Sequence, residues 1–287
     1  MGTSNAYGGP KGSNPLVPSW LGGNAAPAAA QPGQAPVTPG ANAGAAGAGP
    51  GVAAANAGGE AGPTASFTSA KSGFTRFVRS GGAAAGSLHK AASRYARTGG
   101  AQAATQRMGA SRAAAGRFVS FFGAASGGGA GLTTALATFN LQGLLNSPVE
   151  DILSALIDHI CPDGGTIDEG IARSAFVETI IALLDEGIDL DTLTEEQAMH
   201  AIGLFIAHSI EGRLCNDIGT KITFAADRVA DIAAIQQELH DFIAGCVSDS
   251  LSQFEGQVAA LTDVEIVGFV DQIYEDAFSI LADVTNE

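Results

Sequence analysis

Apolar side chains in the C-terminal half of the chain recur at steps of three and four residues, the spacing of one helix face. The clearest case follows Ser147 and Pro148, a pair typical of an N-cap with proline at the first helical position. The apolar positions after this pair are Val149, Ile152, Leu153, Leu156, Ile157 and Ile160. Alternating runs bounded by hairpin turns, which mark strands, are weak throughout. The pattern predicts an all-α protein.

Three capping boxes predict further helix starts. In each, a threonine is followed three residues later by Glu or Gln, so that the two residues satisfy each other's free backbone amides. The boxes begin at Thr166, Thr194 and Thr262. A helix over 226–257 is predicted to face inward through Val229, Ile232, Ile235, Leu239, Phe242, Ile243, Cys246 and Phe254. The helix after Thr262 is predicted to face inward through Ile266, Val267, Val270, Ile273, Ala277, Ile280 and Leu281.

These starts and faces predict an acidic all-α domain over 131–287, a bundle of five or six helices that is large enough for its own core. Three shorter helices are predicted before it, over 67–79, 84–97 and 101–122, with glycine pairs at 81–82 and 99–100 between them. Phe67, Phe74 and Phe77 lie beside Arg76 and Arg79 in the first of these helices, and further arginines and phenylalanines follow, so residues 67–130 are predicted to form a basic amphipathic segment. A glycine run at 127–129 predicts a hinge.

Charge divides the chain in the same place. Residues 1–130 hold ten Lys or Arg and one acidic residue, whereas the remainder holds four Lys or Arg and 28 Asp or Glu. The basic contact residues of the segment are Arg76, Arg79, Arg94, Arg97, Arg107, Arg112 and Arg117. The sequence allows three alternatives for these arginines. They could contact a protein surface, including the chain's own acidic half, or bind nucleic acid phosphate, or only face solvent. The spacing fits no known nucleic-acid-binding motif.

The first 66 residues have a different composition. Residues 22–66 are almost entirely Gly, Ala, Pro, Asn and Gln, which predicts a disordered linker because little apolar area is available to offset the entropy of ordering. Residues 1–21 form an uncharged tip apart from Lys11 and carry the only tryptophan, Trp20. No signal peptide or membrane span is recognisable, so we expect a cytoplasmic protein with no membrane contact. Cys161, Cys215 and Cys246 are expected to be buried thiols.

Residues suited to catalysis or metal binding are sparse. His200 and His208 are eight positions apart on one predicted helix, a rise of roughly 12 Å, which is too far to share a metal. His159 and His240 each adjoin an aspartate, but neighbouring helix positions point in different directions. The aspartates at 185, 189 and 191 lack the EF-hand pattern and predict a solvated loop. No nucleophile has a supporting triad, so we expect no enzyme activity, no metal and no cofactor.

The N-terminal tip offers a different kind of chemistry. A small residue at position 2 permits removal of Met1, which exposes the α-amine of Gly2. This amine has little steric hindrance and a pKa of roughly 7.7 to 8.0, so part of it is unprotonated near neutral pH. The tip could also be no more than a start codon followed by linker.

The order of short motifs along the chain resembles QatB, a component of the bacterial Qat anti-phage defence system. The resemblance lies in the opening residues 1–4, Gly8-Gly9-Pro10, residues 15–18, the Gly/Ala/Pro arm, residues 79–82 and the stretch 162–169. It implies a non-enzymatic subunit. The implied partners are QatA, an ATPase; QatC, similar to QueC enzymes that activate a 7-deazaguanine carboxylate with ATP; and QatD, a TatD-like nuclease.

The resemblance also implies a role for the tip. Gly2 would accept the 7-deazaguanine group from the QueC-like partner, because a protein α-amine can replace the ammonia that such enzymes use. The residues implied to be recognised by the partner are Thr3, Ser4, Gly8, Gly9, Pro10, Pro15, Leu16, Pro18 and Trp20. Three alternatives stay open: an unmodified docking tip, a nucleic-acid-binding accessory that uses residues 67–125, and a phage-sensing scaffold that assembles through the acidic domain.

Overall fold

The helix starts that carry a capping box are the ones that the sequence specifies most directly. A computed structural model of the protein describes residues 66–127, 130–161, 165–219, 229–254 and 257–283. At the first box the Thr166 hydroxyl accepts the Glu169 backbone N–H at 3.2 Å, and the Glu169 carboxylate accepts the Thr166 N–H at 2.9 Å. The boxes at Thr194 and Thr262 form the same reciprocal pairs. All three predicted starts are confirmed.

The described residues contain ten α-helices and no strand, which confirms the all-α class. The helices are α1 Thr68–Arg79, α2 Ala85–Arg97, α3 Gly100–Gln106, α4 Gly109–Ala125, α5 Gly131–Thr138, α6 Val149–Ile160, α7 Ile167–Asp185, α8 Glu195–Ile218, α9 Val229–Leu251 and α10 Asp263–Asp283. Single 3₁₀ turns occur at Gln142–Leu144 and Val258–Ala260. Six of these described helices follow residue 130, within the predicted number of five or six.

Three predicted boundaries are wrong. The helix predicted over 226–257 ends at Leu251. Helix α6 begins at Val149 with Pro148 as its N-cap residue, so the predicted Ser147 cap is absent. The helix predicted over 101–122 is two helices, because Met108 leaves the helical conformation at φ −107° and ψ 40°. Met108 is fully buried. The carboxylate of Asp168 on α7 accepts the Ala110 N–H at 2.6 Å. Asp168, although distant in sequence, therefore caps the start of α4.

Helix α4 lies at the centre of the hydrophobic core, where it packs against α5, α7, α8 and α10. The Phe118 ring is fully buried and stacks on Phe122 at 4.3 Å and on Phe205 of α8 at 5.1 Å. One cluster of buried residues runs from Ala70 to Leu281. The core therefore crosses residue 130, and all described residues belong to one unit, Glu60–Glu287.

Most predicted inward positions are buried. On α9, Ile235, Leu239, Ile243 and Cys246 are buried, while Ile232 and Phe242 are half-buried. The side chain of Val229 lies outside the described residues. On α10 the prediction is wrong for Val267, which is 59% exposed because it lies one position, or about 100° of rotation, beyond the buried Ile266.

The three cysteines are free thiols, with Cys161 and Cys246 buried and Cys215 half-buried. Burial raises the pKa of Cys161 and of Cys246 to about 11. None of the described helices is long and apolar enough to cross a membrane.

Candidate functional site

The predicted acceptor and recognition residues of the tip, from Gly2 to Trp20, lie outside the described residues. Among the described residues, the structure shows two other groups of candidate functional residues. One is the set of arginines in the basic segment, and the other is a group of histidines and glutamates between α7, α8 and α9.

Three of the predicted contact arginines are engaged inside the folded unit. Arg112 on α4 forms an ion pair with Asp271 of α10, and its Nε donates to Asp271 Oδ1 at 2.7 Å. The Arg117 guanidinium donates to the backbone carbonyl of Ile160 at 3.0 Å. The Arg107 guanidinium lies 5.3 Å from the centre of the Phe67 ring and 5.6 Å from that of Tyr95, which are cation–π distances. These arginines contact the protein itself.

The other four arginines lie on the surface of α1 and α2, which pack against each other. Arg76, Arg79, Arg94 and Arg97 are exposed, and so are Lys71 and Lys90 on the same helices. Arg97 donates to the Ala282 carbonyl at 2.8 Å, and Arg94 makes a long contact of 3.4 Å with the Ser69 carbonyl. No Asp or Glu occurs between residues 61 and 149. We call these six exposed cations the α1–α2 basic face.

The second group brings together residues that are distant in sequence. His208 of α8 and His240 of α9 stack with ring centres 4.5 Å apart and 28° between their planes. Glu211, one turn after His208, places Oε2 at 3.1 Å from His240 Nδ1 and 4.0 Å from His208 Nδ1. Glu178 of α7 places Oε2 at 3.2 Å from His208 Nδ1. We call these four residues the imidazole–carboxylate cluster.

The cluster lies at the edge of a surface cleft and is largely shielded from solvent. Side-chain exposure is 13% for His208, 15% for Glu211 and 20% for His240, whereas Glu178 is 53% exposed. The hydrogen bond to Glu211 raises the pKa of His240, and the contact with His208 lowers the pKa of Glu178. Both shifts favour a charged imidazole beside charged carboxylates.

His208 has an unusual environment within this cluster. Both of its ring nitrogens are inaccessible to solvent, and neither has a well-directed hydrogen bond among the described residues. Glu178 is close to Nδ1 but not in a hydrogen-bonding direction. A buried polar group without a hydrogen bond costs roughly 1 to 3 kcal/mol. The site therefore holds donor and acceptor capacity that the surrounding protein does not use.

The cluster was missed from the sequence because its members come from three helices. His200, eight positions before His208, instead contacts Glu186 at 3.0 Å on the exposed side of α8. The partner of His240 is not its neighbour Asp241 but Glu211, 29 positions earlier. The His208 and Glu211 spacing of i, i+3 was the available signal, because such pairs share one helix face. The pairing with α9 depends on tertiary packing.

The acidic loop before α8 uses its aspartates locally. Asp189 accepts the Asp191 N–H at 3.0 Å and the Thr192 hydroxyl at 2.9 Å, and both contacts are exposed. These are turn interactions of the kind that aspartate forms with residues two and three positions ahead.

Comparison with known proteins gives one match. The family model for QatB, described as "Qat anti-phage system associated protein QatB", matches residues 99–281, from one residue before α3 to two residues before the end of α10. No curated protein and no solved structure in the comparisons matches the chain. The match covers more than half of the chain and includes the imidazole–carboxylate cluster and the arginines of α4, but not the α1–α2 basic face. The chain belongs to the QatB family and is a component of a Qat anti-phage defence system.

Proposed function

We propose that the protein is a non-enzymatic subunit of a Qat defence complex in the cytoplasm, and that its Gly2 α-amine is modified by a QueC-like partner enzyme. The observation that carries this proposal is the match to the QatB family over 99–281. Because QueC-like enzymes activate a 7-deazaguanine carboxylate, a system that pairs one with this chain needs an acceptor. The α-amine of a terminal glycine is the least hindered acceptor that the chain offers.

The chemistry proposed for Gly2 is an acyl transfer. The partner uses ATP to convert the 7-deazaguanine carboxylate to an acyl adenylate with release of pyrophosphate. The unprotonated Gly2 amine attacks the carbonyl carbon, a C–N bond forms, the bond to AMP breaks, and the amine proton passes to a base or water. The product is an amide. Holding the amine beside the adenylate supplies the rate advantage of proximity, which is lost when the amine is displaced.

The remaining regions fit this role as supports. The partner holds the tip through Thr3 to Trp20, and residues 22–66 supply reach. Arg112 and Arg117 of α4 are occupied by Asp271 and by the Ile160 carbonyl, and Arg107 before α4 lies against aromatic rings, which favours a scaffold role for this part of the basic segment. The ATPase and the TatD-like nuclease of the same system are the proposed further partners.

Intact mass of the full chain tests the proposal. Protein co-expressed with the QueC-like partner is expected to gain the mass of one 7-deazaguanine acyl group, and protein expressed alone is not. Gly2→Val should abolish the gain because the branched side chain crowds the attacking amine. Gly22→Val, the same change outside the tip, should leave it intact. Unmodified protein from cells that resist phage, or a modified Gly2→Val variant, would show that Gly2 is not the acceptor.

A second function, nucleic acid binding, is favoured by the α1–α2 basic face. Its six cations are exposed on two adjacent helices, and the sequence between positions 61 and 149 contains no acidic residue. Each phosphate contact contributes a slope of about −0.9 to the dependence of log K on log salt for duplex DNA. Replacing Arg76, Arg79 and Arg94 by alanine should therefore flatten that slope. If the protein shows no salt-dependent DNA affinity, this second function is excluded.

A further inference from the structure

We propose that Glu178, His208, Glu211 and His240 form a binding site for a divalent transition-metal ion, with Zn²⁺ as the ion that suits the ligands best. The proposal is independent of the reaction at Gly2. It rests on the convergence of His208, Glu211 and His240 from α8 and α9, with Glu178 of α7 beside His208. It rests also on the ring nitrogens of His208, which are buried without a well-directed hydrogen bond among the described residues.

The ligand types select the class of ion. Imidazole nitrogen suits Zn²⁺, Cu²⁺, Ni²⁺ and Fe²⁺, whereas Mg²⁺ and Ca²⁺ prefer oxygen ligands alone. Two histidines and one or two carboxylates make a common zinc set, and His and Glu separated by three positions on a helix recur in metal sites of helical bundles. The His208 and Glu211 pair has this spacing on α8, and His240 faces it from α9.

The distances are close to those of a coordinated ion. Zn²⁺ lies about 2.0 to 2.2 Å from imidazole nitrogen and carboxylate oxygen, so ligand atoms of a tetrahedral site are separated by roughly 3.3 to 3.5 Å. Glu211 and His240 are at 3.1 Å, and Glu178 and His208 are at 3.2 Å. The ligand atoms of His208, Glu211 and His240 all lie within 4.8 Å of one another. Coordination requires side-chain rotations that shorten the 4.0 Å separation between Glu211 and His208.

One local rearrangement is required. The imidazoles are stacked at 28°, and an ion must lie near the plane of every imidazole that binds it. One ring therefore turns out of the stack as the ion binds. The adjoining cleft, of about 550 Å³, gives the ring space to move and gives the ion access.

The ion would link three helices that otherwise meet mainly through apolar contacts. Helix α8 packs against both α7 and α9, and each of the three helices supplies at least one ligand. Since the ligands converge only in the folded protein, binding adds to folding stability by an amount that rises with free ion concentration.

Zn²⁺ titration of the tag-free full chain tests the site, with calorimetry for affinity and thermal unfolding for stability. We expect saturable binding of one ion and a higher unfolding temperature that a chelator reverses. His208→Gln and His240→Gln should each weaken affinity at least ~10-fold, since even loss of an outer-shell partner costs that much. Circular dichroism without metal checks that each variant is folded; should His208→Gln unfold, His240→Gln decides.

Two control variants separate this site from other ligands. His159→Gln removes an exposed histidine on α6 and should bind Zn²⁺ like the unchanged protein. Cys215→Ser removes the thiol nearest in sequence to Glu211 and should also bind normally, because Cys215 is not among the residues whose ligand atoms lie within 4.8 Å of one another. Absence of saturable binding, an affinity in both His208→Gln and His240→Gln equal to that of the unchanged protein, or loss of binding only in Cys215→Ser would overturn the proposal.

Discussion

The arginines of α4 and those of α1 and α2 come from one basic stretch of sequence, yet their surroundings differ. Arg112 is 24% exposed and paired with Asp271, while Arg76 and Arg79 are exposed on α1. The difference arises because α4 is packed on several sides by other helices, whereas α1 and α2 present one face to solvent. The net charge of a segment therefore does not show which of its charges can reach a partner. The position of each residue relative to the core decides this.

The largest loss of stability is expected when a core residue of α4 is replaced. Phe118→Ala should lower the free energy of unfolding by about 3 to 5 kcal/mol, since a fully buried phenylalanine loses its contacts and leaves a cavity. Chemical denaturation followed by circular dichroism measures this change. Val267→Ala on the exposed side of α10 is the matched control and should change stability by less than about 0.5 kcal/mol. If Phe118→Ala were equally mild, α4 would not be a core helix.

The second-largest loss of stability is expected on replacing Asp168, whose carboxylate caps the start of α4. Its carboxylate accepts the Ala110 N–H at 2.6 Å and the Ser111 hydroxyl at 3.2 Å, and its side chain is 17% exposed. Hydrogen bonds to a charged group contribute about 1.5 to 3 kcal/mol. Asp168→Ala should destabilise the protein by roughly that amount in thermal unfolding. Asp249→Ala, an exposed aspartate on α9, should have little effect; an equal loss in both variants would exclude a capping role.

The two kinds of helix start show what the sequence could predict. Capping boxes are local, because threonine and Glu or Gln three residues apart satisfy each other's amides, and all three were predicted. The break at Met108 depends on the burial of that residue and on Asp168, 58 positions from Ala110, so no local pattern reveals it. The same reason explains the candidate sites. The i, i+3 spacing of His208 and Glu211 was visible, but His240 joins them only when α9 packs on α8.

Replacing Arg112 tests whether the arginines of α4 are held by contacts within the fold. Arg112→Met keeps most of the aliphatic length but removes the ion pair with Asp271, which is 41% exposed. Pairs of this partial exposure contribute up to about 1 kcal/mol, because solvent screens the charges. A double-mutant cycle with Asp271→Asn isolates the interaction. A coupling energy near zero would mean that Arg112 is held by α4 alone, and its charge would then be as available as those of α1.

Replacing arginines of the α1–α2 basic face should have the smallest effect on stability. Arg76, Arg79 and Arg94 are exposed, and within the described part of the chain their single hydrogen bond is the 3.4 Å contact of Arg94 with the Ser69 carbonyl, so replacing all three by alanine removes little packing. Arg97 is left in place because it donates to the Ala282 carbonyl. Alanine also has the highest helix propensity, so the free energy of unfolding should change by less than about 0.5 kcal/mol. Denaturation of the triple variant beside Arg112→Met checks the contrast. A loss above about 1 kcal/mol in the triple variant would show that α1 and α2 use these charges within the fold, and the distinction between the two arginine groups would then fail.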